Sequence, residues 1–278
     1  MAVRRIKKLQ QKNNKSNFRK KNQKISLFLQ KNSHRKLNLI IDIGNSSCKS
    51  ALYEKGELKE FHKGSNSEIE ILDKWNRSFK IEKTIVSSVI TIPKRMEEQL
   101  SSLPCPTTYF SNRTPLPINV LYRTPHTLGA DRLAAIMGAQ GEAPGKDLLV
   151  IDAGSAITYD FIDAEGNYHG GNIAPGIDMR LASLHEHTNK LPHVGKEGET
   201  PTLGYDTETA IRSGVINGII YEIEGYIAEL KKKHPELLVF LTGGDQKSLI
   251  YKIKSCIFAD EFLVLKGLNR ILTHHDNI

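Results

Sequence analysis

Cysteine is scarce in this 278-residue chain: Cys48, Cys105 and Cys256 are odd in number and form no Cys-x-x-Cys pair. Neither a disulfide framework nor a zinc site is indicated, and a reducing cytoplasm is the simple expectation. No run of about 18 uninterrupted apolar residues exists, so no membrane-spanning helix is expected. The ten histidines show no His-x-x-x-His or Cys/His spacing; His185 with His187 and His274 with His275 read as solvated positions, not ligands.

Acid is absent from the first 36 residues, which hold 13 of the 39 Lys and Arg. The remainder has 26 basic against 31 acidic residues, so the formal net charge of +8 belongs to the head and the rest is about −5. Residues 1–36, rich in Lys, Asn and Gln, read as a basic disordered extension. A nucleic-acid or anionic-membrane arm and an organelle-targeting peptide are alternative readings. The abrupt start of an apolar strand at Leu37 favours a dispensable segment. The composition, 39% hydrophobic and 25% charged, is that of a globular protein with room for two modest domains.

What is present is a repeated device. Leu148–Ile151 is a short apolar run of interior-strand character that ends in Asp152-Ala153-Gly154-Ser155-Ala156, where the backbone must turn. Ile157–Ile162 reads as a returning strand, which makes a β-hairpin with an acid at its tip. The same order occurs at Leu37–Leu58: apolar strand, Asp42-Ile43-Gly44-Asn45-Ser46, second strand, then a turn at Lys55-Gly56. Recurrence of Asp-x-Gly after 110 positions, about one domain length, points to a duplicated fold whose two hairpins face each other. Cys48, beside the first turn, reads as a packed thiol.

Between these hairpins, Ile69–Trp75 and Pro93–Leu100 read as helices flanking a strand at Ile85-Val86, and Leu116–Tyr122 as a further strand. Pro125–Gln140 enters a helix with Asp131 and Arg132 in its exposed first turn. Aspartate there suits the helix dipole; arginine is misplaced unless it meets an anion. After the second hairpin, the Gly-dense His169–Gly176 passage leads into a helix, Ile177–Thr188. Pro192–Thr202 has the composition of a lid loop. Asp206 caps the longest helix, whose Ile211, Val215, Ile219, Ile223 and Ile227 form an apolar stripe, and Thr207 and Arg212 near its start are candidate ligand contacts. Leu237–Leu241 is a buried strand closed by Thr242-Gly243-Gly244-Asp245, and a final short strand and helix fall within Phe262–Leu272. Such alternation predicts a three-layer α/β arrangement.

Taken in order, Asp42-Ile43-Gly44-Asn45-Ser46, Gly129-Ala130-Asp131-Arg132, Asp152-Ala153-Gly154-Ser155-Ala156 and Gly170-Gly171-x-Ile173-x-Pro175-Gly176 resemble the motifs of type III pantothenate kinases. Thr242-Gly243-Gly244 is similar to that family's nucleotide-side turn, and the likeness runs from Leu37 to about Leu272. The resemblance implies an α/β fold of two duplicated ribonuclease-H-like domains, 37–147 and 148–278, around a central nucleotide cleft, as in the acetate and sugar kinase, Hsp70 and actin superfamily.

It further implies ATP-dependent phosphorylation of the 4′-hydroxyl of pantothenate, opening coenzyme A biosynthesis, by a cytoplasmic homodimer that needs Mg2+ with ATP and a monovalent cation, K+ or NH4+. By the same resemblance Asp131 is the general base. Tyr122, Gly129, Ala130, Asp131, Arg132 and Thr207 hold pantothenate; Asp42, Ile43, Gly44, Asn45, Ser46, Ser47, Cys48, Lys49 and Ser155 meet ATP; and Asp152 ligates the monovalent cation. Ser46 and Ser155 stand where the family usually has threonine, with a hydroxyl kept at both places. Two other readings stand beside it: another small-molecule kinase of this fold, which would lack Gly-Ala-Asp-Arg in this setting, and a regulatory nucleic-acid-associated relative, against which the intact Asp42, Asp131 and Asp152 argue.

Overall fold

The structure is a computed structural model that describes residues 36–65, 70–255 and 257–274. Most of the basic extension, Ile69, Cys256 and His275 lie outside the described residues.

The first half opens with an antiparallel meander, β1 (Leu37–Ile43), β2 (Cys48–Glu54) and β3 (Glu57–Gly64). Helix α1 (Glu70–Ser78) crosses to β4 (Ile81–Ser88), which pairs parallel to β1, and α2 (Lys94–Ser101) crosses to β5 (Thr107–Tyr109), parallel to β4. The sheet order is β3-β2-β1-β4-β5. A short strand β6 (Asn119–Val120), a 3₁₀ turn at Pro125–Thr127 and helix α3 (Ala130–Glu142) follow.

The second half repeats the plan. Strands β7 (Leu148–Ala153), β8 (Ala156–Ile162) and β9 (Asn167–Pro175) form a meander. Helices α4 (Ile177–Glu186) and α5 (Thr207–Lys231) lead to β10 (Leu238–Thr242), parallel to β7; then come α6 (Gln246–Leu249), β11 (Phe258–Ala259) and α7 (Leu263–His274). The order β11-β10-β7-β8-β9-β6 matches the first sheet once β6 is set aside. Three antiparallel strands followed by two parallel ones is the ribonuclease-H-like order, and it occurs twice, as the recurring Asp-x-Gly turn predicts.

Strand alternation divides the core into three layers. Ile40 on β1 and Leu148 and Val150 on β7 face a central layer built on α3 and α7. Leu39, Ile41 and Ile43 face the outer layer of the first sheet with Leu72, Trp75 and Leu100. Leu149, Ile151 and Ala153 face α4 and the Ile211–Ile227 stripe of α5. Helices α3 and α7 hold equivalent places in the two halves and pack on each other with a glycine from each. A Cβ on Gly138 would lie 2.1 Å from the Leu263 carbonyl oxygen, and one on Gly267 would lie 1.8 Å from that of Ala134.

Four expectations change in detail. The strand expected over Leu116–Tyr122 is reduced to Asn119–Val120, because only two residues find parallel partners on β9. The Gly-dense His169–Gly176 passage is mostly strand: Gly171 lets β9 approach β8 so closely that a Cβ would lie 1.7 Å from the Tyr159 carbonyl oxygen. The last strand precedes Phe262, at Phe258–Ala259. Pro93 stands at the N-cap of α2, one place before its first turn. The Asp206 cap is as expected, and Thr209 completes a capping box with it. No helix among the described residues is long and apolar enough to cross a membrane.

Candidate active site

Asp42 and Asp152 each stand near the carboxyl end of the first strand of a half. Asp42 continues the Asn38–Ile40 row and Asp152 the Leu148–Val150 row, so each extends the face turned toward the other half. Cross-strand register then supplies their neighbours, because registered residues share a face. Asp42 lies between Lys49 and Ser87, and Asp152 between Thr158 and Thr242. Both turns are closed by backbone bonds: Gly44 donates to the Ser47 carbonyl and Gly154 to that of Ala156, each at 3.0 Å. The two tips meet, Ser46 Oγ standing 3.1 Å from Ser155 Oγ.

These residues line a cavity of about 460 Å³. Asp42, Gly44, Asn45, Ser46, Ser47 and Lys49 come from the first hairpin and Lys63 from β3. Asp152, Ser155 and Thr158 come from the second hairpin, Asp131 from α3, and Gly243, Gly244 and Asp245 from the turn after β10. That turn packs tightly on the second hairpin. Gly243 has φ +98°, and a Cβ there would lie 2.2 Å from the Ala153 carbonyl oxygen and 2.5 Å from Asp152 Oδ1. Gly176, before α4, packs on the other side, where a Cβ would lie 2.1 Å from the Gly154 carbonyl oxygen.

Burial pushes Asp42 up to about 7; Lys49 opposes the rise and the charges of Asp152 and Asp131 add to it. Burial likewise pushes Asp152 up to about 6, again opposed by Lys49 and reinforced by Asp131 and Asp160. Asp131 is also raised by burial, while the Arg132 backbone N–H, 2.9 Å from its Oδ1, pulls it down. The cavity wall carries five carboxylates, Asp42, Asp131, Asp152, Asp178 and Asp245, against three ammonium groups, Lys49, Lys63 and Lys196. Such a wall admits a polyphosphate only together with added cations.

Among the described residues no group of three or more His, Cys, Asp or Glu forms a protein-only metal cage. A magnesium ion held by one or two carboxylates and by substrate phosphates needs none. The oxygen-rich surroundings of Asp42 and Asp152 fit that use. Ser87 Oγ and Thr242 Oγ1, in register beside the two acids, are buried without a hydrogen-bond partner.

Other expected site residues lie elsewhere. Ile43 and Cys48 are buried against the outer core of the first sheet. Arg132 is not exposed. It is 6% accessible, and the anion it meets is internal: Nε donates to both oxygens of Asp160, at 2.9 and 3.1 Å, and Nη2 donates to Oδ1 at 2.6 Å. Tyr168 Oη donates to the same Oδ1 at 2.5 Å. The Tyr122 ring covers the guanidinium, its centroid 5.8 Å from Cζ, and Gly170 leaves room for that ring. Tyr122, Gly129, Ala130 and Arg132 are not among the residues that line the cavity; Gly129 and Arg132 adjoin Asp131, and Tyr122 lies behind them against the Arg132 guanidinium. Thr207 is exposed at the first position of α5, outside the cavity wall, and Arg212 is buried with its side chain donating to loop carbonyls.

Asp160 is the principal residue the motifs missed. Its signal was present in the alternation of β8, where Thr158 and Asp160 share the inward face and Tyr159 the other. Lys63 follows from β3 and its register opposite Lys49. Nothing local marks Lys196 or Asp178.

Two ribonuclease-H-like halves, each with an acid-tipped hairpin turned toward a shared cavity, give the chain the duplicated α/β fold expected of the acetate and sugar kinase, Hsp70 and actin class. The model of the type III pantothenate kinase family matches residues 38–229. A type III pantothenate kinase of Phocaeicola vulgatus is 54% identical over 242 residues, covering 87% of this chain and all of that protein. One from Porphyromonas gingivalis is 40% identical over 241 residues, covering 86% of this chain and 98% of that protein. This chain belongs to the type III pantothenate kinase family. In fold it is similar to a Campylobacter jejuni protein described as a Baf family transcriptional activator, with a TM-score of 0.58, 23% identity, and coverage of 86% of this chain and all of that one.

Proposed function

We propose that this chain transfers the γ-phosphoryl group of ATP to the 4′-hydroxyl of pantothenate, yielding 4′-phosphopantothenate and ADP at the entry to coenzyme A biosynthesis. The observation that carries the reading is the convergence of Asp42, Asp131 and Asp152, from three separate elements, on one cavity rimmed by glycine turns. Phosphoryl transfer is achieved mainly by positioning and by offsetting charge on the phosphate oxygens.

In this reading Asp131 accepts the proton of the attacking hydroxyl, helped by a pKa raised toward the working range. The hydroxyl oxygen bonds to the γ-phosphorus as the bond to the β–γ bridging oxygen breaks, and ADP leaves. Gly44, Asn45, Ser46, Ser47 and Ser155 offer N–H and hydroxyl groups to the phosphates, and Lys49 offsets their charge. Tyr122 and the Gly129–Ala130 segment shape the pantothenate side. Arg132, bound to Asp160, positions Asp131. Asp42 and Asp152 hold the cations: Mg2+ arriving with ATP, and at Asp152 a monovalent ion, K+ or NH4+. When bound, these ions neutralise phosphate charge. The same reading takes the chain as a cytoplasmic homodimer.

A coupled ADP-release assay with pantothenate, run in potassium and then in sodium, tests the reading. The expected result is turnover that requires pantothenate and falls in sodium. ADP release that ignores pantothenate but follows a sugar or acetate would replace it with the other small-molecule kinase reading.

A further inference from the structure

The Pro192–Thr202 loop, whose composition suggests a lid, is fastened down. Arg212 of α5 donates through Nε to the Gly195 carbonyl at 2.9 Å, and Asn217 donates to that of Pro201 at 2.9 Å. Gly198 has φ +124° and sits against the same guanidinium, where a Cβ would lie 2.8 Å from Nη1. The carbonyl that Arg212 grips immediately precedes Lys196, so a fixed backbone presents that side chain.

Lys196 Nζ donates to Asp245 Oδ1 at 2.8 Å and to Asp178 Oδ2 at 3.2 Å, and all three residues line the cavity. The two partners differ. The Asp245 side chain is 11% exposed, and its backbone N–H donates to the Ala153 carbonyl at 2.9 Å, so it belongs to the wall that carries the second hairpin. The Asp178 side chain is 71% exposed, and an ion pair so open to water is worth little. Lysine is a point charge on a flexible stem with three donors, able to keep one partner while exchanging another.

Of the three ammonium groups on the cavity wall, Lys49 and Lys63 lie side by side on the first hairpin and β3, and Lys196 alone comes from the second half. A polyphosphate between the hairpins has two cationic side chains on one side and this one on the other.

We propose that Lys196 is a phosphate-contacting residue of the nucleotide site, one that keeps Asp245 and exchanges Asp178 for an oxygen of the nucleotide's β- or γ-phosphate. The proposal rests on the kinase reading above.

The test is calorimetric titration of the full-length chain, in magnesium, with ATP, ADP and AMP, for the wild type, Lys196→Met, Lys196→Arg and Asp178→Asn. Loss of one charge-assisted contact corresponds to about tenfold in affinity. Lys196→Met is expected to weaken ATP by about that factor, ADP by less, and AMP hardly at all. Lys196→Arg should stay within about threefold of the wild type. In turnover the KM for ATP should rise while the KM for pantothenate holds. Asp178→Asn, which removes the competing negative charge and leaves the buried wall intact, should bind ATP as tightly as the wild type or more tightly. Equal losses for ATP and AMP would make Lys196 a prop for the Gly243–Asp245 turn and overturn the proposal, as would weaker ATP binding by Asp178→Asn. A wild-type chain that binds no adenine nucleotide would remove the kinase reading itself, a failure visible before any variant is made.

Discussion

The hydroxyls of Ser46 and Ser155 stand 3.1 Å apart, joining the tips of two hairpins whose first strands begin 111 residues apart, at Leu37 and Leu148. The contact brings the two copies of the Asp-x-Gly turn together at one point of the cavity. A phosphate placed there is within reach of donors from both halves, which neither half provides alone. Serine at both positions keeps the hydroxyl while removing the methyl that threonine would add.

Ser46→Ala and Ser155→Ala are each expected to weaken ATP by a factor of about 2–10, the range of one modest hydrogen bond. Because the groups touch, the double variant should lose less than the two single losses combined. Strict additivity in ATP titrations would show that the two hydroxyls act independently in the complex.

Asp131→Asn should fold as the wild type does and lose about 10²–10⁴-fold in turnover, the usual contribution of a positioned proton acceptor. Full activity in that variant rejects Asp131 as the base. Asp160→Ala acts differently, since it leaves the buried Arg132 guanidinium without its anion. A loss of about 3–5 kcal/mol in urea denaturation is expected, with turnover falling as the start of α3 loosens. Unchanged stability would mean that Arg132 finds another partner or reaches water.

Stability of the nucleotide-free chain should rise as the pH falls from about 8 to about 5. Asp42 and Asp152 are pushed up to about 7 and about 6, above the unfolded carboxylate value near 4. Over that window the folded chain binds more protons than the unfolded one, so stability is present at the acid end and lost as the pH rises through the folded values. Asp42→Asn should flatten most of the slope. A thermal midpoint that rises with pH across this range would contradict the assignment. Nucleotide binding with magnesium should show the opposite trend, strengthening as the pH rises through 6 to 7, because cations compete with these protons.

Gly138→Ala is expected to cost about 1–3 kcal/mol, the scale of overpacking a tight core. The added methyl would meet the Leu263 backbone 2.1 Å away, and a carbonyl in a helix cannot step aside as a flexible side chain can. Gly267→Ala should behave alike at the Ala134 carbonyl. Urea midpoints measure both. A neutral outcome would mean that α3 and α7 slide apart without loss.

The hairpins, their acids and the duplication were legible in the sequence for a local reason. An apolar run, an Asp-x-Gly turn and a returning strand are set by the preferences of neighbouring residues, and strand alternation then dictates that Asp42 and Asp152 extend inward rows. The capped α5 and its isoleucine stripe are local in the same sense. The strand β9 was obscured because its glycines and exposed polar residues hide the alternation. Its identity comes from pairing with β8 on one side and β6 on the other.

Only the tertiary structure decided which partner each buried charge would take. Arg132, at the start of a helix, needed an anion; the residue that supplies it, 28 positions later, is chosen by the strand that passes beneath α3. Lys196 reaches Asp245 across 49 positions because Arg212 holds its loop in place. Local sequence sets the conformation of a turn or a helix cap, since the interacting atoms are neighbours in the chain. The pairing of buried charges depends on the packing of layers that are distant in sequence.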